Sequence, residues 1–373
     1  MRPSANPFIV SGYHSPEHFC DRAQELAWMM EQFDNERNTV LYSLRRMGKT
    51  SLIRHFFYHL NKNKKADTVF VDLLGTSTLG EANKRIATAI VHQLNDTGKG
   101  IGAGLLKFIG SIGASFGVDP LSGTPQVTFG LVPDQSVPSS LEAMGKYLEA
   151  RKKPVMICID EFQQVVNYQE EHAEATFRTW MQEFPMVRFV FSGSHRQMME
   201  SMFSEASRPF YRSAQMLKLE ALPVAEYSDF ISVRFNNAGK AIDTAFIDRV
   251  FEWTRRQTYY VQLICNKLYG RSNVVDQKVL DEVLAEIIYQ EVPIFSTYQQ
   301  LLTAFQWKLL IAIAKSEEVE NPLSQEFLGK HGFGAASSVS SALQALTKKE
   351  FVIVNDGRHT LHDTLLMRWL QNL

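Results

Sequence analysis

The chain has 373 residues, 45% hydrophobic and 21% charged, which is long enough for two or three domains and an ordinary globular balance. Lys and Arg (39) nearly equal Asp and Glu (40), giving a formal net charge of -1. That balance argues against nonspecific nucleic-acid binding by bulk electrostatics. The first ten residues lack a charged-then-apolar leader pattern, and no apolar run reaches membrane-spanning length. Cys20, Cys158 and Cys265 are scattered without metal-ligand spacing and read as reduced thiols. The expectation is a cytoplasmic protein with no transmembrane segment.

Residues 1–38 read as an entry arm and a helix carrying Leu26, Trp28, Met29 and Phe33. Next comes the apolar strand Thr39-Val40-Leu41-Tyr42, then the loop Ser43-Leu44-Arg45-Arg46-Met47-Gly48. A helical pattern opens with Lys49, Thr50 and Ser51 and continues through Leu52, Ile53, Phe56, Phe57 and Leu60. Strand, tight loop and helix start form the context that a phosphate-binding loop requires. Amides at a helix start, aided by the helix dipole, attract anions. The candidate phosphate-binding residues are Ser43, Arg45, Arg46, Met47, Gly48, Lys49, Thr50 and Ser51. Lys49 would set its ammonium on the β- and γ-phosphates, and the Thr50 hydroxyl would ligate Mg²⁺. The leading Gly of the motif is Ser43 here, a small residue where Gly eases an unusual backbone conformation.

Thr68–Leu73 reads as a second strand. Gly100–Val118 is Gly-rich and apolar, with Lys107 as its one cation, and reads as a flexible insertion rather than a membrane-surface helix. The turn-rich segment Asp119–Pro138 follows, and a loop of this length suits a partner contact or a lid. Pro154-Val155-Met156-Ile157-Cys158-Ile159 then runs apolar into Asp160-Glu161-Phe162. A strand apolar on both faces belongs inside a parallel sheet, and carboxylates at its C-terminal end fall where such sheets bind ligands. Asp160 is the expected Mg²⁺ holder, and Glu161 the acid that polarises an attacking water. Val187–Phe191 is a further strand, ending in Ser192-Gly193-Ser194-His195. Ser192 and Ser194 are candidates for sensing the γ-phosphate or positioning water; Ser194 reads equally well as the cap of the next helix. Gln215–Leu219 reads as the fifth strand.

Several phrases together resemble a known family: Phe19-Cys20-Asp21-Arg22-Ala23-Gln24-Glu25-Leu26, Arg45-Arg46-Met47-Gly48-Lys49-Thr50-Ser51-Leu52, Ile159-Asp160-Glu161-Phe162, Ser192-Gly193-Ser194, Pro209-Phe210-Tyr211 and Tyr259-Tyr260-Val261-Gln262. They look like the archaeal and bacterial P-loop ATPases of the AAA+-like signal-transduction (STAND) group. The resemblance runs from about Phe8 to the C-terminus. It implies an α/β fold with a sheet ordered 5-1-4-3-2, then a helical lid and a winged helix. By the same match Phe19 and Arg22 lie near the adenine. The chain departs from the pattern twice. Relatives have Pro-Leu-Tyr-Gly-Arg where this chain has Pro209-Phe210-Tyr211-Arg212-Ser213, which moves the arginine by one residue. In the lid, Arg256-Gln257-Thr258 replaces a Gly-x-Pro element.

The expected domains are an ATPase core with its arm (1–222), a lid (223–293) and a winged helix (294–373). The lid shows four helical patterns: Tyr227–Asn236, Thr244–Thr254, Tyr260–Tyr269 and Lys278–Gln290. Leu301, Leu302, Phe305, Leu309, Leu310 and Ile313 mark the first helix of the last domain; Ser324–Leu328 is a second, and Val339, Leu343 and Leu346 mark a third. Phe351–Val354 and His359–Leu361 form a hairpin turning at Asp356-Gly357. The outward face of the third helix carries Ser337, Ser338, Ser340, Ser341 and Gln344, with no cation before Lys348 and Lys349. DNA-reading helices present Arg, Lys or Asn, so a regulatory packing module is the better reading. Leu361-His362-Asp363 is similar to the Met-His-Asp motif with which plant and animal STAND ATPases hold bound ADP. The other reading is a His beside an Asp that caps the final helix. The sequence thus points to an ATP/ADP- and Mg²⁺-dependent switch that hydrolyses ATP slowly for an unidentified protein client or signal, with oligomers open. The alternatives are an ATP-regulated DNA-binding regulator and a nucleotide-locked scaffold without turnover.

Overall fold

The computed structural model describes residues 6–94, 109–110, 114–118, 125–129, 137–355 and 357–373. Among these the chain forms two compact units: residues 11–222, and residues 6–10 with 223–373.

The first unit begins with α1 (Ala23–Asp34), β1 (Thr39–Tyr42), α2 (Lys49–Lys62), β2 (Asp67–Asp72) and α3 (Leu79–Leu94). A hairpin of β3 (Ala114–Val118) and β4 (Pro125–Phe129) comes next, then α4 (Val137–Glu149) and β5 (Val155–Asp160). A 3-10 turn over Phe162–Asn167, α5 (Ala173–Glu183), β6 (Val187–Gly193), α6 (Arg196–Ser204) and β7 (Gln215–Lys218) complete it. The five core strands are parallel in the order β2-β5-β6-β1-β7. Read from the other edge, this is the 5-1-4-3-2 order that the resemblance implies.

Side chains of the central strands alternate between two cores, as the period of a strand requires. Val40, Val155, Ile157, Ile159, Val187, Phe189 and Phe191 pack on one face beneath α3, α4, α5 and α6. Leu41, Met156, Cys158 and Val190 pack on the other against Met29 and Phe33 of α1 and Leu52, Ile53, Phe56 and Leu60 of α2. Every residue of β5 and β6 is buried. That is why β5 reads as an unbroken apolar run as far as Ile159, whereas β6 is interrupted by Arg188, whose guanidinium pairs with Glu36 at 3.1 Å.

The insertion expected to be flexible contains the β3–β4 hairpin, which pairs Ala114 with Phe129 and Val118 with Pro125. Phe116, Val118, Val127, Thr128 and Phe129 are strand formers, masked in the sequence by the surrounding glycines. The remainder of 95–136, apart from residues 109–110, lies outside the described residues.

The second unit opens with α7 (Val224–Asn236), α8 (Thr244–Thr254), α9 (Thr258–Arg271) and α10 (Gln277–Leu301). α10 does not stop at Pro293 but runs on to Leu301. Proline deletes one helical hydrogen bond and normally kinks or ends a helix. Here the far half is held from outside: buried Phe295 packs on Trp369, ring centroids 5.4 Å apart, and Tyr298 on Phe351 at 5.2 Å. Leu301, expected in the next helix, is exposed at the end of this one. That next helix, α11 (Ala304–Ser316), starts at a capping box of Thr303 and Gln306. α12 (Gln325–His331), α13 (Ala336–Lys348), β8 (Val352–Asn355), β9 (Arg358–Leu361) and α14 (Thr364–Gln371) follow, with β8 and β9 antiparallel. Of the expected turn, Gly357 takes φ +80 and Asp356 lies outside the described residues.

Residues 6–10, which the sequence places in the arm of the nucleotide core, pack with this unit. Phe8 is fully buried among Phe230, Phe235 and Tyr269, and Asn266 Nδ2 donates to the Phe8 carbonyl at 2.7 Å. Among the described residues no helix is long and apolar enough to cross a membrane.

Candidate active site

The register of the sheet lines up its chemistry. Leu41 pairs with Ser192 and Tyr42 with Gly193, while Asp72 pairs with Asp160. The loop after β1, the acids ending β5 and the serines ending β6 therefore meet along one edge, the C-terminal end of the parallel strands.

The loop Ser43–Gly48 turns through two left-handed residues, Arg46 (φ +69) and Gly48 (φ +90), before α2 starts at Lys49. Ser43 lies outside the left-handed region, so serine carries no backbone strain there. Its buried hydroxyl donates to the Leu44 carbonyl at 2.8 Å and accepts from Lys49 Nζ at 3.4 Å. Lys49 is itself buried, and loss of water pushes its ammonium below the ordinary lysine range. The carboxylates of Asp160 and Glu161 oppose that shift, whereas Arg45 adds to it. An ammonium held in a dry loop between oxygen ligands is poised for an incoming anion. Arg45 and Arg46 are exposed, Met47 is buried and Ser51 half-buried.

Across 110 residues of chain, the Thr50 hydroxyl donates to Asp160 Oδ2 at 3.0 Å. A hydroxyl and a carboxylate make a hard-oxygen donor pair of the kind that holds Mg²⁺, and in this respect the residues fit the metal. Asp160 is nearly fully buried, and burial raises its carboxyl above the usual range. The Ser192 hydroxyl pulls it back, Glu161 raises it further, and Lys49 and Thr50 also favour the charged form.

Glu161 adopts φ +53 and immediately precedes the 3-10 turn, its side chain making no capping bond to it. Strained backbone of this kind concentrates at working sites. Its Oε2 accepts from Ser194 Oγ at 2.8 Å and also from Gln163 Nε2. Ser194 thus serves the acid, and α6 is capped instead by His195, whose Nδ1 accepts from the Met198 amide at 3.3 Å. Sequence reading passed over Gln163; the signal was a polar residue two positions after the paired acids.

Arg22 is buried with φ +68, donating to the Met47 carbonyl at 3.4 Å and to Glu25 at 2.7 Å. Phe19 stacks on His55 of α2, centroids 4.2 Å apart, and Tyr13 Oη shares a hydrogen bond with His55 Nδ1 at 2.9 Å. Burial pushes His55 down to about 4. Arg212 is exposed at φ +49 over its own Tyr211 ring, while the Ser213 hydroxyl closes a turn onto the Phe210 carbonyl.

The first unit therefore brings together Arg22, Ser43, Lys49, Thr50, Asp160, Glu161 and Ser194. His362 belongs to the second unit, where its amide donates to the Phe351 carbonyl at 3.0 Å. Its neighbour Asp363 caps α14 through the amides of Leu365 and Leu366 and also accepts from Tyr260 Oη at 3.0 Å.

This phosphate-loop geometry on a five-stranded parallel sheet defines a P-loop ATPase, and comparison with known proteins agrees. Residues 19–264 match the family described as "ATPase domain predominantly from Archaea", and residues 293–372 match one described as "Probable winged helix domain". The chain belongs to that archaeal-type ATPase family and is an ATP-hydrolysing P-loop enzyme. No curated protein matches its sequence. Among solved structures it is similar to a Walker-type ATPase of Pyrococcus abyssi, with a TM-score of 0.66 and 17% identity over 98% of this chain and 99% of that one. It is similar, too, to the ORC2 protein of Aeropyrum pernix solved in ADPNP–ADP complexes (TM-score 0.63, 12% identity, 97% and 95% covered). The Aeropyrum pernix ORC1 protein in complex with DNA has a TM-score of 0.55 at 15% identity, 99% and 96% covered. At these identities the likeness is one of fold.

Proposed function

We propose that the protein is a Mg²⁺-dependent ATPase of the STAND type that turns over slowly and uses the bound nucleotide as a conformational switch. The observation that carries this reading is the Thr50–Asp160 hydrogen bond beside buried Lys49, with Glu161 held two strands away from the loop by Ser194. Thr50 and Asp160 would hold a Mg²⁺ ion, which would supply positive charge against the phosphates. The loop amides from Ser43 through Ser51 and the Lys49 ammonium take the phosphate charge. Glu161 orients a water by accepting its proton, and Ser194 keeps that carboxylate aimed. Phe19 and Arg22, ahead of β1, belong to the adenine end, and Arg22 reaches the loop through the Met47 carbonyl.

The chain is organised as a core over residues 11–222, a lid from 223 to 293 that takes in residues 6–10, and a winged helix from 294, in a cytoplasmic setting with a protein client. The DNA-binding alternative is the weaker reading: Ser337, Ser338, Ser341 and Gln344 are exposed on α13, and the first cation there is Lys348. Glu161→Gln tests the assignment. ATP affinity is expected to persist while turnover falls by roughly 10²–10⁴, the scale of general-base removal. Unchanged hydrolysis in the purified variant overturns it.

A further inference from the structure

We propose that Gln163 is a positioning residue for ATP hydrolysis, its buried side-chain amide holding the Glu161 carboxylate in its working orientation. The inference rests on the reading of Glu161 as the residue that orients water.

Glu161 is only half-buried, and a glutamate side chain keeps several rotatable bonds. Two donors restrain it. Ser194 Oγ at the end of β6 and Gln163 Nε2 within the 3-10 turn both point at Oε2. They come from different elements, so the carboxylate is gripped from two directions. Neither donor engages Oε1, which stays available to accept from another donor.

Gln163 is 4% exposed and is itself fixed on both sides. Its neighbour Phe162 is fully buried, its ring packed among those of Phe177, Phe191, Phe203 and Phe210. On the other side lies Gly193, where an added Cβ would sit 2.4 Å from Gln163 Oε1 and 2.5 Å from Met199 Sδ. The amide thus occupies space that any larger residue at 193 would take.

Packing does not explain the choice of an amide. Gln163 Oε1 is buried with no hydrogen-bond partner among the described residues, and an unmatched buried acceptor is a cost to folding. A leucine or methionine would fill the same volume without that cost. What the glutamine contributes and they cannot is a donor to an ionised carboxylate, the stronger class of hydrogen bond. A cost retained beside reacting groups is the pattern expected where local chemistry outranks stability.

The full chain carrying Gln163→Leu provides the test. The substitution removes the donor and the unmatched acceptor at nearly constant volume. Equilibrium dialysis should give an unchanged ATP Kd, while kcat falls between about 10- and 100-fold, the scale of misplacing a catalytic group by about an ångström. Combined with Glu161→Gln, the substitution should cause no further loss, because the group it aims is already gone. Gly193→Ala reaches the same end by another route, its Cβ displacing the Gln163 amide while Gln163 remains, and it carries the test should Gln163→Leu fold poorly. A readout independent of turnover is the Gln163 side-chain NH₂ in nucleotide-free protein. By NMR it should exchange slowly with solvent and lose that protection in Glu161→Ala. Wild-type kcat in Gln163→Leu, or a loss fully additive with Glu161→Gln, overturns the proposal. Wild-type kcat in Glu161→Gln alone overturns instead the reading of Glu161 on which it rests.

Discussion

Replacing Lys49 by methionine keeps the buried stem and deletes the charge, which separates what the ammonium does for binding from what it does for the empty fold. Lys49 is 7% exposed, and burial disfavours its charged form. Since its folded pKa lies below the unfolded value, the unfolded chain binds the extra proton, and stability rises with pH through that interval. At neutral pH, below the unfolded value, burial of Lys49 therefore costs the empty fold stability. Lys49→Met is expected to unfold at a slightly higher temperature than wild type without nucleotide. ATP with Mg²⁺ at about 100 times Kd should stabilise the wild-type protein by about 2.7 kcal/mol. For a unit the size of residues 11–222 that corresponds to a rise of roughly 5–10 °C. In Lys49→Met the rise should vanish, because no other side-chain cation in the loop is buried: Arg45 and Arg46 are exposed. Differential scanning calorimetry with and without nucleotide reads both effects. A preserved ATP-dependent rise in the variant would refute the reasoning.

Phe8→Ala should cost the second unit about 3–5 kcal/mol, the usual penalty for emptying a buried phenylalanine site; denaturant unfolding that is unchanged would mean Phe8 is not part of that core. His55, held down to about 4, accepts a proton in the unfolded chain near its ordinary 6.5 and in the fold only below about 4. Stability should therefore fall as pH drops from 6.5 to 4, by on the order of 2 kcal/mol after allowance for partial solvent screening, and His55→Phe should flatten that slope in urea titrations. Arg212→Ala should leave hydrolysis by the isolated chain nearly intact, since its side chain is exposed over Tyr211; a loss of roughly 10³–10⁵, the worth of an arginine acting on transferring phosphate, would show that it reaches the site.

The features legible in the sequence are those whose cause is local. Lys49 and Thr50 after a glycine, and Asp160 and Glu161 after six apolar residues, could be recognised because loop, helix start and buried parallel strand each impose a pattern on consecutive residues. The family resemblance then supplied the sheet order, and the parallel pairing β2-β5-β6-β1-β7 agrees with it. The paired serines were visible as well, but their partners were not. From sequence alone Ser194 reads equally as a water-positioning group or as a helix cap, and only the approach of β6 to the end of β5 turns its hydroxyl toward Glu161 and leaves capping to His195.

What tertiary structure alone decided depends on contacts distant along the chain. Phe8 joins Phe235 and Tyr269 across more than two hundred residues, and no periodicity near the N-terminus announces that. Pro293 should end a helix by its own chemistry; α10 continues because Phe295 and Tyr298 are held by Trp369 and Phe351. Gln163 stands two positions after the acids in sequence. Its importance emerges where Gly193, from another strand, leaves just the room its amide needs. Backbone propensity and hydrophobic period act over a few residues and can be read in a line; packing and hydrogen-bond partners are set in three dimensions.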